Sequence, residues 1–282
     1  MCFRATALEF QPLGVYSDLS MHASHLFSAT FLAGVCAGIA ALAVDGCSSG
    51  PRSQEPAFRV LVVASSDRDH APMIARAESF LLGIAAENHF ALDFTRDPNR
   101  INDATLAHYQ AFVQLQLAPF DMSPRQQQAL QRYIEEGHGW VGVHAAGLPG
   151  RQFIDPATPY WQWFEDLMGG IVYSPHPAFQ KGSVVVEDRR HPVTRNLPES
   201  FEISDEWYEF DKSPRPNVHV LATADESTYK PNRPMGDHPM IWTNERYRRA
   251  VYIGIGHAPA LCDDPNFIVL IRDAILWAAS SD

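Results

Sequence analysis

At 282 residues, 46% hydrophobic and 20% charged, the chain is too apolar for a disordered protein. Its formal charge of −11 repels phosphate backbones, which argues against nucleic acid as a partner. Of four cysteines, only Cys262 lies beyond the first fifty residues, so the body has no internal disulfide framework and no cysteine metal cluster.

Residues 1–57 read as an export segment and linker, and residues 58–282 as one large α/β domain. Leu26 to Val44 is uncharged and rich in Ala, Gly and Leu, and a polar run from Cys47 to Gly50 follows. That order is similar to a secretory signal. Three outcomes fit it: lipid attachment at Cys47, cleavage at Ala41-Leu42-Ala43, or an uncleaved membrane anchor. Each exports the body, to the periplasm or as a membrane-anchored lipoprotein. Few positive charges precede the run, and Met21 offers a second start.

The apolar, β-branched run Phe58 to Ala64 predicts a buried parallel strand. Ala71 to Asn88 carries helical spacing through Ile74, Ala77, Phe80 and Leu81. Strands are predicted at Phe90 to Phe94, Ala111 to Leu115 and Trp140 to Val143. Between the last two, Ser123-Pro124 starts a helix and Gly137 ends it. Shorter strands follow at Ser183 to Val186, Val218 to Ala222, Met240 to Trp242 and Ala250 to Ile255, before a last helix from Asn266 to Ala279. Alternating strands and helices predict a doubly wound, mainly parallel sheet with helices on both faces. No GxGxxG turn or P-loop is present, so no nucleotide cofactor is expected.

Ligands of such sheets bind beyond the carboxyl ends of the strands. His70, His144 and His257 all follow strands. Gly142-Val143-His144-Ala145-Ala146 has the small flanking residues of a strained strand-to-helix elbow, with an imidazole where Ser or Cys normally stands. Imidazole there can bind a metal or move protons but is a poor acyl nucleophile. Asp205-Glu206-Trp207-Tyr208 sets two carboxylates beside two aromatics, an environment expected to raise carboxyl pKa values for acid–base work. Asp237-His238-Pro239 reads equally as a turn and as a ligating or orienting pair. His176-Pro177 and His191-Pro192 read as loop histidines.

Several of these segments, in order, resemble the trehalose-utilisation (ThuA-like) family. They are Gly137 to Ala146, the aromatic Trp161-Gln162-Trp163-Phe164, His191 to Arg195, Asp205 to Tyr208, Asp225 to Tyr229, Asp237 to Pro239 and Gly254 to His257. The resemblance implies a flavodoxin-like, class I glutamine-amidotransferase-like fold and a role in bacterial carbohydrate use, with 3-keto-glycosides as substrates. Two departures stand out. Asp67-Arg68-Asp69 precedes His70 where the family carries an aromatic and an arginine, and Arg248-Arg249 replaces frequent glycines.

The expected reaction is hydrolysis by elimination and hydration. Proton transfer is assigned to Glu206, with His144, His257 and Asp205 as further catalytic groups. His70, Trp163, Trp207, Tyr208 and His238 are the expected sugar contacts. A divalent metal on His144, His257, Glu206 and His238 is the expected electrophile. A non-catalytic sugar-binding or scaffolding domain is the rival; it needs the aromatics but no converging histidines. Glutamine hydrolysis lacks its thiol at the elbow.

Overall fold

The Val and Leu run of β1 (Arg59–Ala64) is buried on both faces, as a central parallel strand requires. The computed structural model describes residues 55–154 and 156–281. The expectations for Leu26 to Val44 and for Cys47 lie outside them. Among the described residues, no helix is long and apolar enough to cross a membrane.

After β1 come α1 (Ala71–Glu87), β2 (Ala91–Thr95), the single turn α2 (Asp103–Leu106), β3 (Ala111–Leu115), α3 (Pro124–Glu135) and β4 (Gly139–Val143). Proline at the first position of α3 and the Gln126 side-chain Oε1 accepting from Ser123 N–H (2.7 Å) start that helix. Gly137, at φ +90°, ends it. The chain continues through α4 (Gln162–Leu167), β5 (Tyr173–Ser174), β6 (Gln180–Val186), β7 (Ser200–Asp205), β8 (Glu209–Phe210), β9 (His219–Asp225), β10 (Pro239–Thr243), β11 (Ala250–Ile253) and α5 (Pro265–Ala279).

Nine strands form one sheet in the order β2-β1-β3-β4-β11-β10-β9-β6-β7, and β5 pairs with β8. The first five are mutually parallel, and the next four pair antiparallel. Alternate residues of β1 feed opposite layers. Val60 and Val62 pack with Met73, Ile74, Leu270 and Ile271 of α1 and α5. Leu61 and Val63 pack in the layer of Leu130, Ile134 and Phe164 of α3 and α4. Helices therefore cover both faces, as expected.

β7 differs from the sequence reading, which left Ser200–Asp205 unassigned. Its burial alternates strictly, with Phe201, Ile203 and Asp205 inward. The period of two is a strand signal; a carboxylate at the third inward position hides it. At the β10–β11 hairpin, the Arg249 guanidinium lies 5.4 Å from the Trp277 ring, tying the hairpin to α5.

Candidate functional site

β4 ends on His144, a buried non-glycine residue at φ +53°. That left-handed conformation is sterically costly and survives only when the surroundings fix it. Three contacts do so. Tyr252 Oη donates to the His144 carbonyl (2.9 Å). The ring Nδ1 lies 2.8 Å from the Gly254 carbonyl. Gly256 abuts the elbow, where an added Cβ would stand 2.8 Å from Val143 Cγ1 and 2.9 Å from His144 Cβ. Gly142 serves differently from the sequence reading: it makes room for the Trp140 indole rather than for the turn.

A carbonyl only accepts, so Nδ1 of His144 carries the proton and Nε2 presents a lone pair. His70, the residue before α1, repeats the logic. Its Nδ1 lies 3.0 Å from the Asp67 carboxylate, leaving Nε2 as the lone pair. Burial, and then nearby His144, lower the His70 pKa, favouring the neutral ring. His257 sits just past β11. Its Nδ1 is 3.1 Å from Glu206 Oε2 but is not aligned for a hydrogen bond. His144 Nε2 lies 3.6 Å from the same oxygen. Among the described residues, these three buried ring nitrogens (His70 Nε2, His144 Nε2 and His257 Nδ1) make no hydrogen bond. One donor atom each from His70, His144, Glu206 and His257 falls within 4.8 Å of the others.

Buried polar atoms normally find partners, so three orphaned nitrogens around one carboxylate need an explanation. A metal ion provides one. Ligands at roughly 2.0–2.2 Å around a tetrahedral ion stand about 3.3 Å apart, close to the 3.1 and 3.6 Å seen here. Three imidazoles and one carboxylate suit zinc or another divalent first-row ion. The group can therefore hold a metal.

Asp205 and Glu206 have opposite environments. Asp205 is fully buried at the end of β7 and accepts N–H groups from Glu206 (2.7 Å), Gly256 (2.8 Å) and His257 (3.2 Å). It clasps the edge strand β7 to the loop after β11, four places away across the sheet. Burial raises the Asp205 pKa. Glu206 departs from the raised value expected of it. Burial opposes its charge, but His144, His257 and His176 outweigh burial and hold it well below the usual carboxylate range.

The other predicted contacts separate. His238 belongs to the framework rather than to the metal set: Nε2 lies 2.9 Å from the Tyr208 carbonyl, and Nδ1 lies 2.7 Å from Tyr229 Oη and 3.1 Å from Glu226 Oε1. His70, read as a sugar contact, lies among the four residues that could hold a metal. Trp207 is wholly buried, stacked on Tyr229, with its indole N–H donating to the Gln180 carbonyl. Tyr208 is buried and stacks on the His144 ring at 4.0 Å, backing the elbow rather than facing solvent. Trp163 packs on Trp161 and Tyr247, at the opposite end of β11 from His257. Sequence reasoning passed over His176, whose Nε2 is 3.5 Å from Glu206 Oε2. The His-Pro pair, common in loops, made it read as a plain loop residue; its Nδ1 lies 2.7 Å from the Pro177 carbonyl. Gln116, also missed, holds φ +56° and braces the site by donating to the Gly256 carbonyl.

A parallel sheet ending in a strained elbow, with imidazole in place of the nucleophile, defines a class I glutamine-amidotransferase-like domain without the amidotransferase thiol. The sequence matches the ThuA family, described as trehalose utilisation, over residues 59–278, and the chain belongs to that family. A ThuA-like protein from Bacteroides uniformis is 29% identical, with a TM-score of 0.72 over 83% of this chain and 96% of that one. A second, from Parabacteroides merdae, is 18% identical, with a TM-score of 0.61 over 80% and 91%. The glutaminase domain of Trypanosoma brucei CTPS shares the fold at 10% identity, with a TM-score of 0.50 over 80% and 95%. No curated protein matches the chain.

Proposed function

We propose that this protein is a carbohydrate-utilisation enzyme that cleaves 3-keto-glycosides with a divalent metal held by His70, His144, Glu206 and His257. The observation that carries the reading is the gathering of three buried ring nitrogens, none hydrogen-bonded among the described residues, with the Glu206 carboxylate. A non-catalytic sugar-binding domain has no need to orphan three imidazoles at a cost in stability.

A ketone at the third ring carbon acidifies the hydrogen on the second. Removing that proton expels the glycosidic oxygen from the first carbon, which picks up a proton and leaves as the alcohol. Water then adds its oxygen to the first carbon and a proton to the second, for net hydrolysis. When bound, the metal supplies an electrophile for the ketone oxygen as negative charge develops there. The chain's own residues do the rest. Asp67 and the Gly254 carbonyl orient the His70 and His144 rings through Nδ1. Glu206 stays ionised in the centre, as a ligand or a proton acceptor. His176, 3.5 Å from Glu206, is likewise partly exposed.

The test is turnover of 3-keto-trehalose by the full chain with and without a chelator, together with metal content. About one metal per chain and loss of turnover on chelation are expected. Glu206→Gln should lower kcat at least about a hundredfold. Full activity in the chelated sample would remove the metal, and normal turnover by His144→Ala would remove the site.

A further inference from the structure

We propose that the crevice beside His70 is a binding subsite for a neutral sugar ring, placed to hold the second ring of a glycoside whose linkage is broken at the histidine–Glu206 cluster. The proposal rests on the carbohydrate reading above and adds to it a place and a charge class.

The crevice is about 520 Å³, within the range of small-molecule sites. It opens at the carboxyl ends of β1, β3 and β4. The order β2-β1-β3 sends the chain from β1 to one side and then back to the other, so this is a switch point of the sheet, where α/β folds bind ligands. His70 and Asp67, 3.0 Å apart, line it, and His70 also belongs to the cluster. Gln116 stands on the same border. It is buried, left-handed and held by the Gly256 carbonyl and the Ala145 N–H. A non-glycine residue kept in that conformation marks a place where geometry is over-determined.

The lining suits a polyol. Asp121 and Arg96 both line the crevice; among the described residues the Arg96 guanidinium has no hydrogen-bond or ion-pair partner, and the Asp121 carboxyl takes only the Ala118 N–H. A carboxylate accepts from adjacent hydroxyls and a guanidinium donates to them. The Phe120 ring, stacked on Phe153 at 5.0 Å, offers a fixed apolar face for a pyranose. Charge decides the class. Two acids, Asp67 and Asp121, oppose one arginine, so an anionic sugar meets net repulsion.

Trehalose and methyl α-glucoside lack the ketone and cannot eliminate, so titration calorimetry on the full chain reads binding alone. Trehalose should bind about tenfold more tightly than methyl α-glucoside, and trehalose 6-phosphate about tenfold more weakly than trehalose. Asp121→Ala and Arg96→Ala should each shrink the trehalose advantage to about threefold or less. Both side chains are exposed, and circular dichroism checks that the variants fold. Equal binding of one and two rings, absence of binding, tighter binding of the phosphate ester, or an advantage that survives both substitutions would each overturn the subsite. These outcomes are separable from failure of the metal reading. Chelator-insensitive turnover of 3-keto-trehalose sinks the metal and leaves the affinity ratio. Loss of the ratio with chelator-sensitive turnover sinks only the subsite.

Discussion

Replacing Asp205 with alanine tests what holds the site together. Its carboxylate takes N–H groups from Glu206, Gly256 and His257 and is wholly buried. Each donor left unpaired in a buried place costs about 1–3 kcal/mol. Gly256 is buried and bears the full cost, whereas Glu206 and His257 are partly exposed and recover much of theirs from water. Against this, the substitution removes a carboxylate whose own burial is unfavourable, as its raised pKa shows. The balance is a loss of about 2–3 kcal/mol. At roughly 2–4 °C per kcal/mol for a domain of this size, Tm should fall by about 8 °C. Asp205→Asn keeps one acceptor oxygen for the Gly256 N–H and should recover about half. Differential scanning calorimetry reads the stability. A zinc titration of the variant reads the consequence, because the clasp positions two of the four donor groups. Affinity should drop at least about tenfold, within the 10–100-fold typical of lost outer-shell partners. A Tm within about 2 °C of the parent with unchanged zinc affinity would show that β7 is held to β11 by something else.

Gly256→Ala would press a Cβ against Val143 and His144, where neither neighbour is a flexible chain end, and should cost about 1–3 kcal/mol in urea denaturation while displacing the elbow. His191 gives a pH dependence. Burial, and then His219, lower its pKa from 6.5 to about 4, and its Nδ1 accepts the Val193 N–H at 3.2 Å, which needs the neutral ring. The unfolded chain takes up the proton first, so the stability present above about pH 6.5 is lost as pH falls toward 4, by about 2 kcal/mol after allowing for solvent screening. His191→Asn, compared with the parent between pH 7 and 4.5, should flatten that slope; parallel curves would refute the assignment. Cys262 is buried against Met73, and burial pushes its thiol up to about 11. It should resist iodoacetamide in the native state at pH 8, and Cys262→Ser should keep turnover of 3-keto-trehalose; rapid alkylation together with lost activity would reopen thiol chemistry.

Local signals carried a large part of this protein. Continuous apolar runs announce β1, β3 and β4 because strands buried on both faces need no polar side. The small residues around His144 announce the elbow, although Gly142 turns out to make room for the Trp140 indole. Those features, with the ordered family motifs, were enough for the fold and for the expectation that His144, Glu206 and His257 lie together, as their donor atoms do within 4.8 Å. Placement was not legible where it depends on partners far along the chain. His238 and His70 look alike as isolated histidines. One is closed off by Tyr208, Tyr229 and Glu226, and the other keeps a free ring nitrogen. Trp207 and Glu206 are neighbours that point to core and site respectively, because the strand alternation of β7 runs on into them. His176 and Asp121 belong to short loops whose sequence resembles any turn.

The amino-acid sequence determined which segments become strands and where the chain must kink, since both follow from neighbours within a few residues. Only the tertiary structure decided that the last residue of β7 meets the loop after β11. That meeting joins residues 51 positions apart in the chain, from strands four places apart in the sheet, and no local pattern records a contact set by the whole strand order.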